Sequence, residues 1–345
     1  MRILIVSTIV PFIEGGGTFI VDWLYEILKK YGYSTNIIKI PFHSHYSEIL
    51  KQMLALKLFD LSDYADLLIA LRTPSYLIKH PNKVLWFIHH YRGAYDLWDT
   101  PLQDIPKSRE GLQIRDAIIR ADNLAFNEAK KIYTNSKIVA ARLKKFNGID
   151  SEVLYPPLLE TEKYHSKEYS DYIFYPSRIT QHKRQYLAVE SMKYTESSVK
   201  LIIAGNPDTE EELDYLESIV RKNNVMDKVK IIGRWIDEKE KIELFANALG
   251  CIYIPFDEDS YGYVSLEAYH SRKPVITCSD SGGTLEIVED GLNGLIVPPE
   301  HQAIAEAMDS LFYSKGLAKK MGQRGYEKIV SMNITWNNVV QKLVG

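Results

Sequence analysis

Short apolar runs of strand length alternate with stretches of helical period along almost the whole chain, and this rhythm leaves few folds open. Strands that are apolar end to end are buried on both faces, and parallel strands joined by crossover helices bury them. In the first half the strand-like runs are Arg2 to Ser7, Ser34 to Ile40, Leu67 to Leu71, Val84 to Ile88 and Lys131 to Asn135. Helical patterns lie between them: from Phe19 to Lys30, Phe19, Trp23 and Ile27 recur at four-residue steps, and Leu24 and Leu28 widen the stripe. Tyr155-Pro156-Pro157 stops the rhythm, and Glu160 to Asp171 has linker composition. A second series follows, with strands near Tyr172 to Tyr175, Lys200 to Ala204, Val229 to Ile232, Gly250 to Ile254 and Pro274 to Thr277. The expectation is an α/β chain of two doubly wound Rossmann-like domains, 1–158 and 159–328, followed by an amphipathic stretch from Trp336 to Val344.

Composition narrows the function classes. With 345 residues, 46% apolar and 25% charged, the chain is neither disordered, collagenous nor a coiled coil. A net charge of −3 argues against a whole-surface nucleic-acid binder. The charge is uneven: residues 1–155 hold 20 basic and 16 acidic residues, leaving 22 and 29 for the rest. Ten basic and four acidic residues fall between Lys107 and Lys145. This stretch reads either as a solvated pair of helices or as a surface meeting an anionic acceptor or lipid headgroups. Cys251 and Cys278 are the only cysteines, so neither a disulfide framework nor a zinc spacing is present. The opening ILIVSTIVPFI reads as a first strand and not a signal segment, because Glu14 and three glycines follow it. No apolar run reaches the roughly 18 residues of a spanning helix, so the expected location is cytoplasmic, with peripheral contact at the inner membrane face left open.

The chemistry-bearing residues cluster after strands. Glu14-Gly15-Gly16-Gly17-Thr18 follows the first strand, where glycines let backbone N–H groups approach an anion at a helix N-terminus. It is not the dinucleotide fingerprint, because Ile20 stands where the third glycine belongs. His89 closes the strand Lys83 to Ile88, a position from which it could bond a sugar hydroxyl or steady positive charge. Arg178 and Lys183 follow the first strand of the second half, beside a helix starting at Gln185, and two cations there suit a diphosphate. The segment Pro255 to Ala268 places Asp259 on a loop and Glu267 within a helix, with Gly262, Tyr263, Val264 and Ser265 between them able to aim N–H groups at phosphate oxygens. Ser281-Gly282-Gly283-Thr284-Leu285-Glu286 reads as a further glycine turn and helix, so two helix N-termini are expected to converge.

Taken together and in this order, these elements resemble the retaining nucleotide-sugar glycosyltransferases of family 4, which have the GT-B fold. The matching residues are Gly15 to Gly17, His89, Tyr155-Pro156-Pro157, Ser177-Arg178 with Lys183, Gly205, Gly233, the Asp259 to Glu267 segment, and Gly282-Gly283 with Glu286. The resemblance implies two domains facing a cleft, with a UDP- or GDP-linked donor on the second, a carbohydrate or lipid-linked acceptor on the first, and residues 329–345 returning to the first domain. It implies that Glu267 holds the ribose, that Arg178 and Lys183 hold the diphosphate, and that Gly16 and Gly17 close on it. His89 and Asp259 would face the transferred sugar, Gly205, Gly282 and Gly283 would lie by the donor, and backbone near Gly233 and Arg234 could read uracil or guanine. The family has Glu where Asp259 stands, and Glu258 is adjacent, so the first-carboxylate role is open between them.

The expected reaction is transfer of a hexose-type sugar to a hydroxyl, in polysaccharide or glycolipid synthesis. Fixed cations and N–H groups would stabilise the leaving phosphate without a metal or other cofactor. Asp257-Glu258-Asp259 also spells a metal-holding Asp-x-Asp pattern, read here as coincidence because it leads straight into the glycine turn. Two rivals share the architecture: a nucleotide-sugar 2-epimerase, and a catalytically silent scaffold that binds sugar nucleotides.

Overall fold

The protein is described by a computed structural model covering residues 1–12 and 16–345, so Glu14 and Gly15 of the first glycine turn lie outside the described residues. The chain forms two compact units: Met1–Pro157 with Thr335–Gly345, and Leu158–Ile334.

The first unit is built on six parallel strands in the order β2-β1-β3-β4-β5-β6. They are β1 (Arg2–Ile9), β2 (Ser34–Pro41), β3 (Leu67–Ala70), β4 (Lys83–Phe87), β5 (Lys131–Thr134) and β6 (Glu152–Val153). Every residue of β3 and β4 is buried, as the apolar runs Leu67–Ala70 and Val84–Phe87 require, and the ammonium of buried Lys83 donates to the carbonyls of Tyr76 and Ile78. The crossovers carry α1 (Gly16–Lys30), α2 (Tyr46–Leu58), α3 (Arg109–Asn127) and α4 (Lys137–Asn147). Ser108 and Ser136 cap α3 and α4 by accepting the N–H groups of Gly111 and Val139, each at 3.1 Å. The final helix, α11 (Trp336–Val344), belongs to this unit. Trp336 meets the fully buried Trp86 edge-on at 6.2 Å, and the Tyr133 hydroxyl donates to Lys342 O at 2.9 Å.

The second unit repeats the plan with β7 (Tyr172–Pro176), β8 (Lys200–Ala204), β9 (Val229–Ile232), β10 (Gly250–Ile252), β11 (Val275–Cys278) and β12 (Gly294–Val297). The order is β12-β11-β10-β7-β8-β9, all parallel. Its helices are α5 (Gln185–Ser191), α6 (Glu210–Lys222), α7 (Glu238–Asn247), α8 (Tyr263–His270), α9 (His301–Tyr313) and α10 (Lys315–Ser331). Three glutamates open α6 and Arg221 and Lys222 close it, each charge opposing the helix dipole at its own end. Phe174 and Phe245 pack edge-to-face at 5.0 Å in the core, and both cysteines are buried and unbridged. Helix α10 lies wholly in this unit, so the chain rejoins the first unit at Thr335 and not at residue 329. The short strands β6 and β12 are additions to the strands read from the sequence. No described helix is long and apolar enough to cross a membrane.

Candidate functional site

In the second unit the strand order reverses between β7 and β10. Crossover helices leave these strands toward opposite faces, which opens a crevice at their carboxyl ends where α/β sheets bind ligands. The loops that leave β7 and β10 carry Arg178, Lys183, Asp259 and the start of α8.

Backbone geometry explains the glycines. Gly262 caps α8 at φ 71°, ψ 126°, and a Cβ there would stand 2.2 Å from the Tyr253 ring. Gly282 has φ 62°, and a Cβ would lie 2.5 Å from both N and O of Glu258. Only glycine lets these segments approach so closely. Gly283 N–H donates to Glu258 O at 2.7 Å, so the Gly282-Gly283 pair braces the 257–260 loop. The second helix expected here does not form. Gly283–Glu286 is a single 3-10 turn, so of the two helix starts expected from these glycine turns only that of α8 forms. Gly205 follows β8, and its N–H bonds Ile232 O at 3.1 Å.

Both cations have carboxylate partners. Arg178 Nη1 lies 2.9 Å from Asp208 Oδ1, on a half-exposed surface. Lys183 Nζ, largely buried, donates to the Tyr253 hydroxyl at 2.8 Å and to Glu258 Oε2. Burial works against ionising Glu258, yet the Lys183 ammonium and His182 outweigh it and hold the carboxyl well below its usual range. The neighbouring Arg184 forks onto Asp280 at 2.8 and 2.7 Å and donates to the carbonyls of Ile254 and Pro255. It ties the exits of β7, β10 and β11 together, a role the local sequence did not signal.

The first turn of α8 contains Tyr263, Val264 and Ser265. Ser265 N–H bonds Gly262 O at 3.1 Å, while the N–H of Val264 lies where the helix itself supplies no acceptor. The hydroxyls of Ser265 and Thr284 are buried without a hydrogen-bond partner among the described residues. Glu267, one turn further, is 5% exposed. Burial pushes its carboxyl up, and Lys241 at 2.6 Å opposes that shift. Arg234 lies on an open groove of about 440 Å³ along the edge of β9, and both its Nη atoms meet Glu240 at 2.9 Å.

In the first unit, His89 is half-buried and its Nδ1 lies 2.7 Å from His90 O. That bond requires a proton on Nδ1, so in the neutral ring Nε2 is the acceptor. His90 instead belongs to the core, 4.2 Å from the Tyr95 ring and 2.8 Å from Asn147 Oδ1, with burial pushing it down to about 4. Gly16 and Gly17 open α1. The Arg72 side chain lies 3.6 Å from where a Gly17 Cβ would stand, a second cation not singled out from the sequence. The basic stretch is partly neutralised, since Lys107, Arg120, Arg142 and Lys144 face Asp99, Asp116, Asp96 and Asp150. Among the described residues no three His, Cys, Asp or Glu side chains converge as a metal site.

Residues 159–328 match the family described as glycosyl transferases group 1. The capsular polysaccharide biosynthesis glycosyltransferase CapM of Staphylococcus aureus is 29% identical over 189 residues, 52% of this chain and 47% of that protein. The chain spans about half the length of the curated relatives it matches. Sucrose-phosphate synthase from Thermosynechococcus elongatus has a similar fold, with a TM-score of 0.77 at 17% identity, covering 98% of this chain and 96% of that one. The Anabaena protein HepE, solved with UDP and glucose, superposes with a TM-score of 0.70 at 16% identity over 98% of this chain and 97% of its own.

Proposed function

The second unit belongs to the glycosyl transferases group 1, within a GT-B fold of two doubly wound units, and from that premise we propose that the chain transfers a hexose-type sugar from a UDP- or GDP-linked donor to a hydroxyl acceptor with retention of configuration. The observation that carries this reading is the grouping of Arg178, Lys183 and the first turn of α8 on the loops leaving β7 and β10. Relatives and neighbours support the same class: the capsular polysaccharide enzyme suggests polysaccharide or glycolipid synthesis, and the UDP complex suggests a UDP-sugar.

Breaking the bond between sugar and diphosphate places negative charge on the leaving phosphate. An ammonium has three N–H donors, and Lys183 directs two toward Tyr253 and Glu258, leaving a third for phosphate. Arg178 and the α8 N–H groups add to it, and donors held in place before reaction stabilise such charge without a metal. Glu258 pairs with Lys183, and in this reading Asp259, next to it on the same loop, faces the transferred sugar. Glu267 accepts from the ribose hydroxyls. In this reading the first unit receives the acceptor, a carbohydrate or lipid-linked hydroxyl, and contributes His89, whose Nε2 accepts from a sugar hydroxyl. Retention follows attack from the leaving-group face, with the donor phosphate taking the acceptor's proton.

Thermal shift against UDP, GDP and their sugars identifies the donor, and donor hydrolysis followed in strong chelator tests the chemistry. Stabilisation by one nucleotide, with slow hydrolysis that survives chelation, is expected. No stabilisation by any nucleotide, isomerised donor, or turnover that needs manganese would overturn the reading.

A further inference from the structure

Glu267, assigned above to the donor's ribose, already has two side-chain partners. Lys241 Nζ on α7 lies 2.6 Å from Glu267 Oε1, and the Tyr164 hydroxyl, from the polar segment after Pro157, lies 3.2 Å from the same oxygen. Both also reach Glu238 at the start of α7: Lys241 at 2.8 Å from Oε2 and Tyr164 at 2.5 Å from Oε1. Two carboxylates, an ammonium and a phenol thus close a ring across three segments of the second unit. Tyr164 and Glu267 are buried, and Lys241 is largely so. Both contacts on Glu267 fall on Oε1, and Oε2 accepts no hydrogen bond among the described residues.

We propose that Lys241 and Tyr164 are positioning residues for donor recognition: by holding Oε1 they fix the carboxylate plane and present Oε2 to the ribose diol, so the chain's choice of ribose over deoxyribose depends on them. The proposal rests on the assignment of Glu267 to the ribose. A carboxylate turns about its terminal torsion over a broad range, and anchoring one oxygen removes that freedom before the ligand arrives. Lys241 also opposes the upward push of burial on this carboxyl, and a charged donor makes the stronger hydrogen bond. Tyr164 has one proton for two carboxylates and its shorter contact is to Glu238, so Lys241 carries more of the orientation.

The test is titration calorimetry of the full chain with UDP and 2′-deoxy-UDP, and with GDP and 2′-deoxy-GDP, for wild type, Lys241→Met, Tyr164→Phe and Glu267→Ala. Wild type should prefer the ribonucleotide by about tenfold or more, the usual worth of a hydrogen bond to a charged group. Lys241→Met should bring that ratio below about threefold while the deoxynucleotide affinity stays nearly constant, and Tyr164→Phe should move it the same way by less. A lysine that only supported the fold would weaken both nucleotides alike, so an unchanged ratio in Lys241→Met overturns the proposal. Tyr164→Phe carries the test if Lys241→Met does not fold, and an unchanged ratio there has the same meaning. A ratio lost in Glu267→Ala but kept in both other variants overturns the positioning alone. A ratio kept in Glu267→Ala overturns the ribose assignment and the positioning with it.

Discussion

Replacing Gly262 by alanine should disable the donor site through geometry alone. At φ 71°, ψ 126° the backbone occupies a region that L-residues enter only under strain, at a cost of about 1–3 kcal/mol. The added Cβ would stand 2.2 Å from Tyr253 Cε1. Carbon contacts settle near 3.5 Å, so roughly 1.3 Å must be found by moving the ring or the start of α8. Either movement reaches the chemistry, because the Tyr253 hydroxyl bonds both Lys183 and Glu258 and α8 aims its N–H groups from that turn. A misplacement of about 1 Å costs about a hundredfold in rate. Gly262→Ala should therefore lower kcat/KM for the donor by about a hundredfold or more, with a Tm fall of about 2–4 °C for each kcal/mol lost. Calorimetry with the nucleotide, steady-state kinetics and a melting curve check all three. A variant with wild-type binding and turnover would refute the claim that this turn is held rigid for the diphosphate.

Lys183→Met should weaken nucleotide binding about 10- to 100-fold and leave Glu258 buried without its cation, lowering stability by about 3–5 kcal/mol; Lys183→Met with Glu258→Gln should recover stability in urea unfolding but not binding. Because the folded chain holds Glu258 below its ordinary value of 4.5, the stabilisation by this pair is complete above that pH and fades as the pH falls further, so the stability gap between wild type and Glu258→Gln should close in acid. Glu267→Ala should act mainly through donor affinity, and His89→Ala through kcat by about a hundredfold; unchanged kinetics in both variants would remove these roles. Asp122, fully buried and accepting from the Tyr76 and Tyr95 hydroxyls, is pushed by burial from 3.8 up to about 7. The folded state therefore binds its proton more tightly, and wild-type stability should fall as pH rises from about 4 to about 7. Asp122→Asn should gain on wild type in urea unfolding at pH 8 relative to pH 4, and a constant difference would contradict this.

The sequence revealed what local pattern controls. Runs such as Leu67–Ala70 and Val84–Phe87 are apolar through their length, and they occupy the buried middle of their sheet. Edge strands were harder to see: Glu152–Val153 is two residues long, and Gly294–Val297 is only partly buried, so neither carries a strong apolar signal. The turn at Gly282 resembled a helix start, because glycines followed by Thr-Leu-Glu also suit one, but the tight packing of Gly282 and Gly283 on Glu258 and Ser260 leaves a 3-10 turn. The partners of the site residues were invisible for a different reason. Tyr164 meets Glu267 across 103 positions, and Arg184 meets Asp280 across 96, so only the folded chain brings them together. The bond between Glu258 and Lys183 spans 75 positions and was equally hidden in the sequence.

The central claim is that the diphosphate of a sugar nucleotide is held in the second unit by side-chain cations and helix N–H groups. Crystals grown with saturating UDP or GDP test it directly. The account predicts phosphate oxygens within hydrogen-bonding distance of Lys183 Nζ and of the N–H groups at the start of α8, with Glu267 Oε2 on the ribose. A nucleotide bound away from these atoms, or none bound at saturation, would contradict it.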